Sequence, residues 1–302
     1  MEKVETLPAA AIRSRRRDAG QFSRIVRTLF GSRTATIGAV LTLLLVLTAL
    51  FAPWIAPYRQ DEIHPIDSLM PPAAKYLLGT DDLGRDILSR IIFGARVSLM
   101  VGVIAIGIAT VAGVSLGLAA GYLGGAIDSL IMRVMDALLA FPAILLAIAL
   151  MAVLGPSLET AMIAIGVISV PAFARITRAS VLSLREKEFI EASRALGAGD
   201  LYLAALVILP NCLSPIIVQA SLGIGNAILV EAALSFLGLG VQPPNPSWGS
   251  MLAFGRSLLS QAPWYATFSG LAIFVTVLAL NFVGDGLREA LDPRLRATER
   301  GA

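Results

Sequence analysis

Runs of about 20 apolar residues recur along this chain, and no other feature restricts its fold so tightly. The first transmembrane segment is predicted at 35–57, on the apolar run from Ala35 to Ala56. Further runs cover 97–120, 129–154, 160–180, 211–237 and 266–287. Each is long enough to cross the roughly 30 Å hydrocarbon core as a helix. Lipid offers backbone groups no water, so a run that crosses it must satisfy its own N–H and C=O groups. Composition agrees: 56% of the 302 residues are hydrophobic and 15% are charged, against about 25% charged in a soluble domain. The first run is too long for a signal-peptide core and ends without a small-residue cleavage site, so it reads as an uncleaved span. The expected fold is an all-α polytopic membrane protein with about six transmembrane helices.

Basic residues orient the bundle. With the N-terminus inside, segments 1–34, 121–133, 175–209 and 288–302 hold 18 of the 24 Lys and Arg. The N-terminal tail alone carries Arg13, Arg15, Arg16, Arg17, Arg24, Arg27 and Arg33. Five of the six outside cations fall in 58–96, where Asp61, Glu62, Asp67, Asp81, Asp82 and Asp86 outnumber them. Both termini, 1–34 and 291–302, are therefore expected in the cytoplasm. A net charge of +3 follows from that bias and gives no cue for nucleic acid.

Catalysis by this chain is not expected. Cys212 is the only cysteine and His64 the only histidine, too few for a zinc site or a histidine-based triad beside a nucleophile. Neither metal ligands nor catalytic residues are predicted.

Two regions outside the lipid are long enough to act. The outer loop 58–96 is expected to end in a surface helix, Asp82 to Arg96, leading into the second span. Inside, 175–209 reads as two short helices: Arg185 to Leu196, a break at Gly197 and Gly199, then Leu201 to Leu209 before Pro210. Gly197 can end the first in the left-handed conformation, and Pro210 permits a sharp entry into the fifth span. Two readings stand: a rigid knob that fits a partner's groove, or a solvated connector.

Within the spans, Gly113, Gly117, Gly121 and Gly125 recur every four residues, which lets another helix approach closely, either in this chain or across a sliding subunit contact. Arg133 and Asp136 are three apart and expected to pair. Glu231 lies mid-span with Ser235 on its face and Asn226 loosely so. It reads either as lining a path or as an interhelix hydrogen bond. Pro142, Pro171 and Pro215 are expected to interrupt the third, fourth and fifth spans.

Glu191-Ala192-Ser193, three residues, Gly197, nine residues, then Val207-x-Leu209-Pro210 resembles the EAA loop of ABC importer permeases, with Ser for the second Ala and Val for Ile. Leu78-Gly79-Thr80-Asp81-Asp82-Leu83-Gly84-Arg85-Asp86-Ile87-Leu88-Ser89-Arg90 is similar to the outer-loop motif of the dipeptide/oligopeptide/nickel permeases. So are Pro210-Asn211-Cys212-Leu213-Ser214-Pro215, Gln242-Pro243-Pro244-Asn245-Pro246-Ser247-Trp248-Gly249 and Gly284-Asp285-Gly286-Leu287-Arg288. The whole resembles the C-type subunit of dipeptide permeases over residues 30–296.

That resemblance implies a type I importer transmembrane core over 97–290 in a bacterial inner membrane. It implies an ATPase-coupling loop at 185–210 carried by Glu191, Ala192, Ser193, Gly197, Leu209 and Pro210. Glu231, Asn226 and Asp136 become candidates for the translocation path. Gln242, Pro243, Pro244 and Trp248 become candidates for the loop facing a solute-binding protein, although Trp248 and Trp264 also read as interfacial anchors. Implied partners are a homologous B-type permease, two ATPase subunits, an extracytoplasmic binding protein, the lipid bilayer and a short peptide. ATP and Mg belong to the ATPases: Lys3, Lys75 and Lys187 are followed by Val4, Tyr76 and Glu188, so none completes a phosphate-binding G-x4-G-K-[ST] loop. Nickel, glutathione and other small solutes are rival cargoes. A secondary transporter or channel is the rival class, and gives no reason for the EAA spacing.

Overall fold

The computed structural model describes residues 32–291; the predicted basic tail up to residue 31 and the tail from 292 lie outside them. Five helices are long and apolar enough to cross a membrane, and a sharply bent pair, taken as one span, makes a sixth. The five are α1 (Arg33–Leu50), α3 (Ile87–Leu123), α6 (Leu158–Arg185), α10 (Leu213–Phe236) and α12 (Pro263–Leu291). Short helix α2 (Ala52–Ile55) follows α1, and the bent pair is α4 (Gly125–Leu139) and α5 (Ala143–Leu154). Between α6 and α10 stand α7 (Glu188–Ala195), α8 (Asp200–Tyr202), a π-helical segment Leu203–Ile208 and α9 (Leu209–Asn211). Helix α11 (Trp248–Ser257) precedes α12. No strand occurs among the described residues; one antiparallel bridge joins Thr80 to Asp86.

Alternation of the crossings puts 51–86 and 237–262 at one end of the bundle and 186–212 at the other. The expected surface helix over 82–96 is corrected. Residues 82–86 stay non-helical, the Asp86 carboxylate caps the Ser89 N–H at 2.8 Å, and helix α3 then runs 37 residues without a break. At 1.5 Å per residue it is about 55 Å long, so it spans the bilayer and projects beyond it.

The bundle's main seam lies between α3 and α6. A Cβ on Gly113 would stand 2.5 Å from Phe173 Cβ, on Gly117 2.8 Å from Thr177 Cβ, and on Gly121 2.8 Å from Val181 Cβ. Three of the four spaced glycines therefore bring α6 into backbone contact within this chain, where lipid gives apolar faces no reason to associate and close packing does. Gly125 falls beyond the turn at Gly124 and meets nothing. Helix α12 packs on α1, α10 and α11, and α10 on α3.

The prolines act differently from expectation at two of three places. Pro142 does break its span: α4 and α5 meet at 92° across it, because the residue before a proline is pushed out of helical geometry. Pro171 sits inside an unbroken α6, held there by the packing of Val170, Phe173 and Ala174 on α3 and α4. Pro215 is the third residue of α10, where its missing N–H would have no helical partner anyway.

At the 51–86 end the loop is clamped to the helices. Buried Asp81 pairs with Arg85 at 2.7 Å and lies 3.6 Å from Arg90 Nε. The Arg90 guanidinium donates to Gln60 O at 3.1 Å, and Trp264 Nε1 to Thr80 O at 3.5 Å. Asp67 accepts from Lys75 Nζ at 2.7 Å and from Tyr76 Oη at 2.8 Å. His64 is half-buried against Tyr58 and Tyr76.

Two tests follow from this packing. Gly117→Leu overfills the seam, costing about 1–3 kcal/mol or more, and lowers the melting temperature of the detergent-solubilised chain. Gly107→Leu, at a site with nothing within 4 Å, leaves it unchanged. Asp67 is held below the usual carboxylate range, first by Lys75 and then by Tyr76. Its contribution is complete above about pH 4 and is lost as pH falls through the lowered value. Pepsin cleavage within 58–86 therefore rises on acidification in the wild type, and Asp67→Asn shows the low-pH rate with a flatter pH profile.

Candidate functional site: the elbow at residues 186–212

Helix α6 stops at Arg185, Glu186 and Lys187 turn the chain, and α7 departs as a separate eight-residue helix. Its end is a Schellman motif: Gly197 N–H donates to Arg194 O at 2.9 Å and Ala198 N–H to Ser193 O at 3.1 Å, with Gly197 at φ +87°. That conformation puts a Cβ against the following carbonyl, which is why glycine stands there. Ser193 Oγ donates to Phe189 O at 2.8 Å.

The knob is held rather than dangling. Ile190 is fully buried and shares a core with Val181, Ile208 and Cys212. Tyr122 Oη, at the end of α3, donates to Asp200 Oδ1 at 2.6 Å, and Arg185 Nη1 to Gly121 O at 3.3 Å. A cleft of about 360 Å³ lies between Tyr122, Arg185, Glu186, Glu191 and Arg194. Around it Glu191, Ala192 and Gly197 are exposed and Ser193 half-buried. Phe189, Leu196, Leu201, Tyr202 and Leu206 show large apolar surface, Leu196 at 90%. A buried anchor under an exposed, mixed apolar and charged face suits rigid docking against another protein.

Pro210 does not open the fifth span as expected. It lies in helical backbone, Leu209 half-buried beside it, and the break comes two residues later at Cys212 (φ −87°, ψ −8°). Because proline lacks a donor and its ring crowds the carbonyl four residues back, the preceding turn widens: Leu209 N–H reaches Ala204 O, five residues away.

The three path candidates are not brought together. Asp136 is exposed and pairs with Arg175 of α6 at 2.6 Å, correcting the expected pair with Arg133. The reason is geometric: α4 crosses beside α6, and Arg178 also pairs with Asp128 there, at 2.5 and 2.6 Å. Asn226 is exposed on α10. Glu231 is wholly buried; its Oε1 accepts from Ser235 Oγ at 2.7 Å, and Ser235 accepts from Ser247 Oγ, the N-cap of α11, at 3.3 Å. The Glu231–Ser235 bond lies within α10, not between helices, and Glu231 Oε2 has no hydrogen-bond partner among the described residues.

In the other candidate loop Gln242, Pro243 and Pro244 are exposed, with Gln242 Nε2 donating to Gly240 O at 2.9 Å. Trp248 is corrected: it is 1% exposed, its ring packs on Gly94, and its Nε1 donates to Ile91 O at 3.0 Å. An aromatic beside a proline-rich loop reads as surface in sequence, but the small Gly94 opposite makes a slot for it. Missed by sequence reading were Ile190, Tyr122, Asp200, Asp128 and the π segment; only the pairing of Pro210 with a preceding helix signalled the last.

The bundle of membrane crossings, with its anchored and exposed helical elbow, shares its fold with a solved ABC transporter. The inward-facing methionine ABC transporter MetNI matches with a TM-score of 0.56 at 18% identity, over 68% of this chain and 96% of that one. A family described as binding-protein-dependent transport system inner membrane component matches residues 113–297, and the N-terminal TM domain of oligopeptide transport permease C matches 20–72. The chain belongs to this family of inner-membrane transport components and is a multi-pass inner-membrane protein. Among its relatives, the di/tripeptide permease protein DppC of Pseudomonas aeruginosa is 50% identical over 86% of this chain and 88% of its own length. The glutathione permease protein GsiD of Escherichia coli is 48% identical over 87% of each.

Gly197→Val forces a β-branched residue into the left-handed region at about 1–2 kcal/mol. Limited proteolysis within 186–200 is expected to accelerate while the melting temperature of the bundle holds.

Proposed function

We propose that this chain is the non-catalytic permease subunit of an ATP-driven importer, carrying short peptides delivered by a solute-binding protein. The observation that supports it most is the elbow: Glu191 and Ala192 exposed on a helix whose far side, Ile190, is locked into the transmembrane core. The relatives named for dipeptides and di/tripeptides support the cargo. The relative named for glutathione supports a second cargo reading, glutathione itself.

In this reading 185–210 and both termini face the cytoplasm. Two separate ATPase subunits bind ATP and Mg, and each docks on a coupling loop, one here and one on a homologous B-type permease. A short rigid helix transmits rigid-body motion without bending, as alternating access between two bundles requires. Closing the ATPases draws the coupling helices together and opens the path outward; hydrolysis resets it. The path runs between the two permeases, past the exposed Asn226 face and the Asp136–Arg175 pair. Glu231 braces α10 against the outer loop instead of touching cargo. Gln242, Pro243 and Pro244 meet the binding protein.

Replacing Glu191 with Arg reverses a charge at the docking face. ATPase co-purification and labelled dipeptide uptake are both expected to fall by about tenfold, the equivalent of about 1.4 kcal/mol. Wild-type levels of both would reject the coupling role. Mass spectrometry of the ligand on the co-purified binding protein separates peptide from glutathione.

A further inference from the structure

Between the docking helix α7 and α10, the ten residues 203–212 carry three backbone irregularities. Leu209 N–H bonds five residues back to Ala204 O, Pro210 offers no donor, and Cys212 N–H is shared between Ile208 O at 3.1 Å and Leu209 O at 3.0 Å. One side chain bridges this stretch: Asn211 Nδ2 donates to Val207 O at 2.7 Å. Asn211 is exposed, yet its amide is turned back on its own helix, the competing hydrogen bond that makes asparagine a poor interior helix residue. Leu203, Ile208 and Cys212 are fully buried on one side; Leu206 and Pro210 are exposed on the other. A cleft of about 390 Å³ separates Asn211 from Ile176, Ala179, Ser180, Ser183 and Leu184 of α6, so the exposed side has room to move.

We propose that residues 203–212 form a π-to-α hinge between the docking helix and α10, and that Asn211 is the positioning residue that holds its π state. This rests on the assignment of 188–195 as the ATPase-docking helix. A π turn stores one extra residue of helix. Passing that residue along would turn the elbow relative to α10 by about 100° and shift it by about 1.5 Å. Smaller partial releases would bend the junction at Cys212. The Asn211 bond sets which state dominates at rest, so the motion of the elbow is delivered to α10 as a discrete step. Without it the junction yields, and ATP is hydrolysed with less solute moved.

Asn211→Leu keeps the bulk and removes the donor; Asn211→Asp keeps the shape and leaves only acceptors at neutral pH. Asn211→Ser restores a donor to the carbonyl four residues back, as Ser115, Ser180 and Ser193 already do in this chain at 2.7 to 2.9 Å. The readout is dipeptide taken up per ATP hydrolysed by the assembled transporter in proteoliposomes. Losing one hydrogen bond of ordinary strength shifts a two-state population about fivefold. N211L and N211D are expected to lose about that factor in the ratio with assembly and ATP turnover retained, and N211S to stay near wild type. A wild-type ratio in N211L and N211D, or loss of assembly in all three variants, overturns the hinge. Hydrogen exchange at the amides of residues 207–209, 211 and 212 in the nucleotide-free complex needs no cargo. About fivefold faster exchange in N211L is expected, and unchanged exchange contradicts the proposal. If the wild-type transporter moves no dipeptide while this exchange result holds, the cargo assignment fails and the hinge stands.

Discussion

Inside hydrocarbon every backbone N–H and C=O must find its partner within the protein, and the rest of this structure depends on how that demand is met. Five crossings meet it with unbroken helices. The departures from regularity are few and local: the 92° bend at Pro142, and the turn, π segment and break between Arg185 and Leu213. Both lie where a neighbouring helix or a water-facing end can satisfy freed groups. Regular helices supply rigid levers, and the irregular stretches fix where those levers join.

The levers are tied at specific points. Glycines of α3 admit α6 to backbone contact, and the ion pairs Asp128–Arg178 and Asp136–Arg175 hold α4 across α6. At the end of α3, Tyr122 donates to Asp200 of the elbow, and Gly121 O accepts from Arg185, the last residue of α6. Displacement of α7 therefore reaches α3 and α6 through short, stiff contacts. Along the chain it reaches α10 through the softer π segment, beside the packing of α10 on α3 and α6. At the opposite end, buried Asp81, Arg90 and Trp248 fuse the long outer loop to α3, α11 and α12, so a protein seated there meets a solid platform.

Helix count, approximate span limits and the position of the elbow were legible because hydrophobic run length and glycine position act locally. Gly197 ends α7 as its type and context require. What could not be read depends on partners distant in sequence. Asp136 has an arginine three residues away and still pairs with one on another helix, because the crossing of α4 over α6 decides the distance. Trp248 is interior because Gly94, on another helix, makes room. Pro171 fails to break its helix because the packing around it outweighs the one lost bond, whereas Pro142, at an exposed corner, has nothing to hold the chain straight. Ser235, four residues on, is legible beside Glu231 in sequence, but Ser247, which joins them from the N-cap of α11, is not.

The central claim is that residues 188–195 face the cytoplasm and bear on an ATPase. Ser193→Cys in a Cys212→Ala background, in membranes holding the assembled transporter, tests it most directly. The account predicts a thiol cross-link from residue 193 to the ATPase subunit and no labelling by a membrane-impermeant maleimide added outside intact cells. Labelling from outside, with no such cross-link, would contradict it.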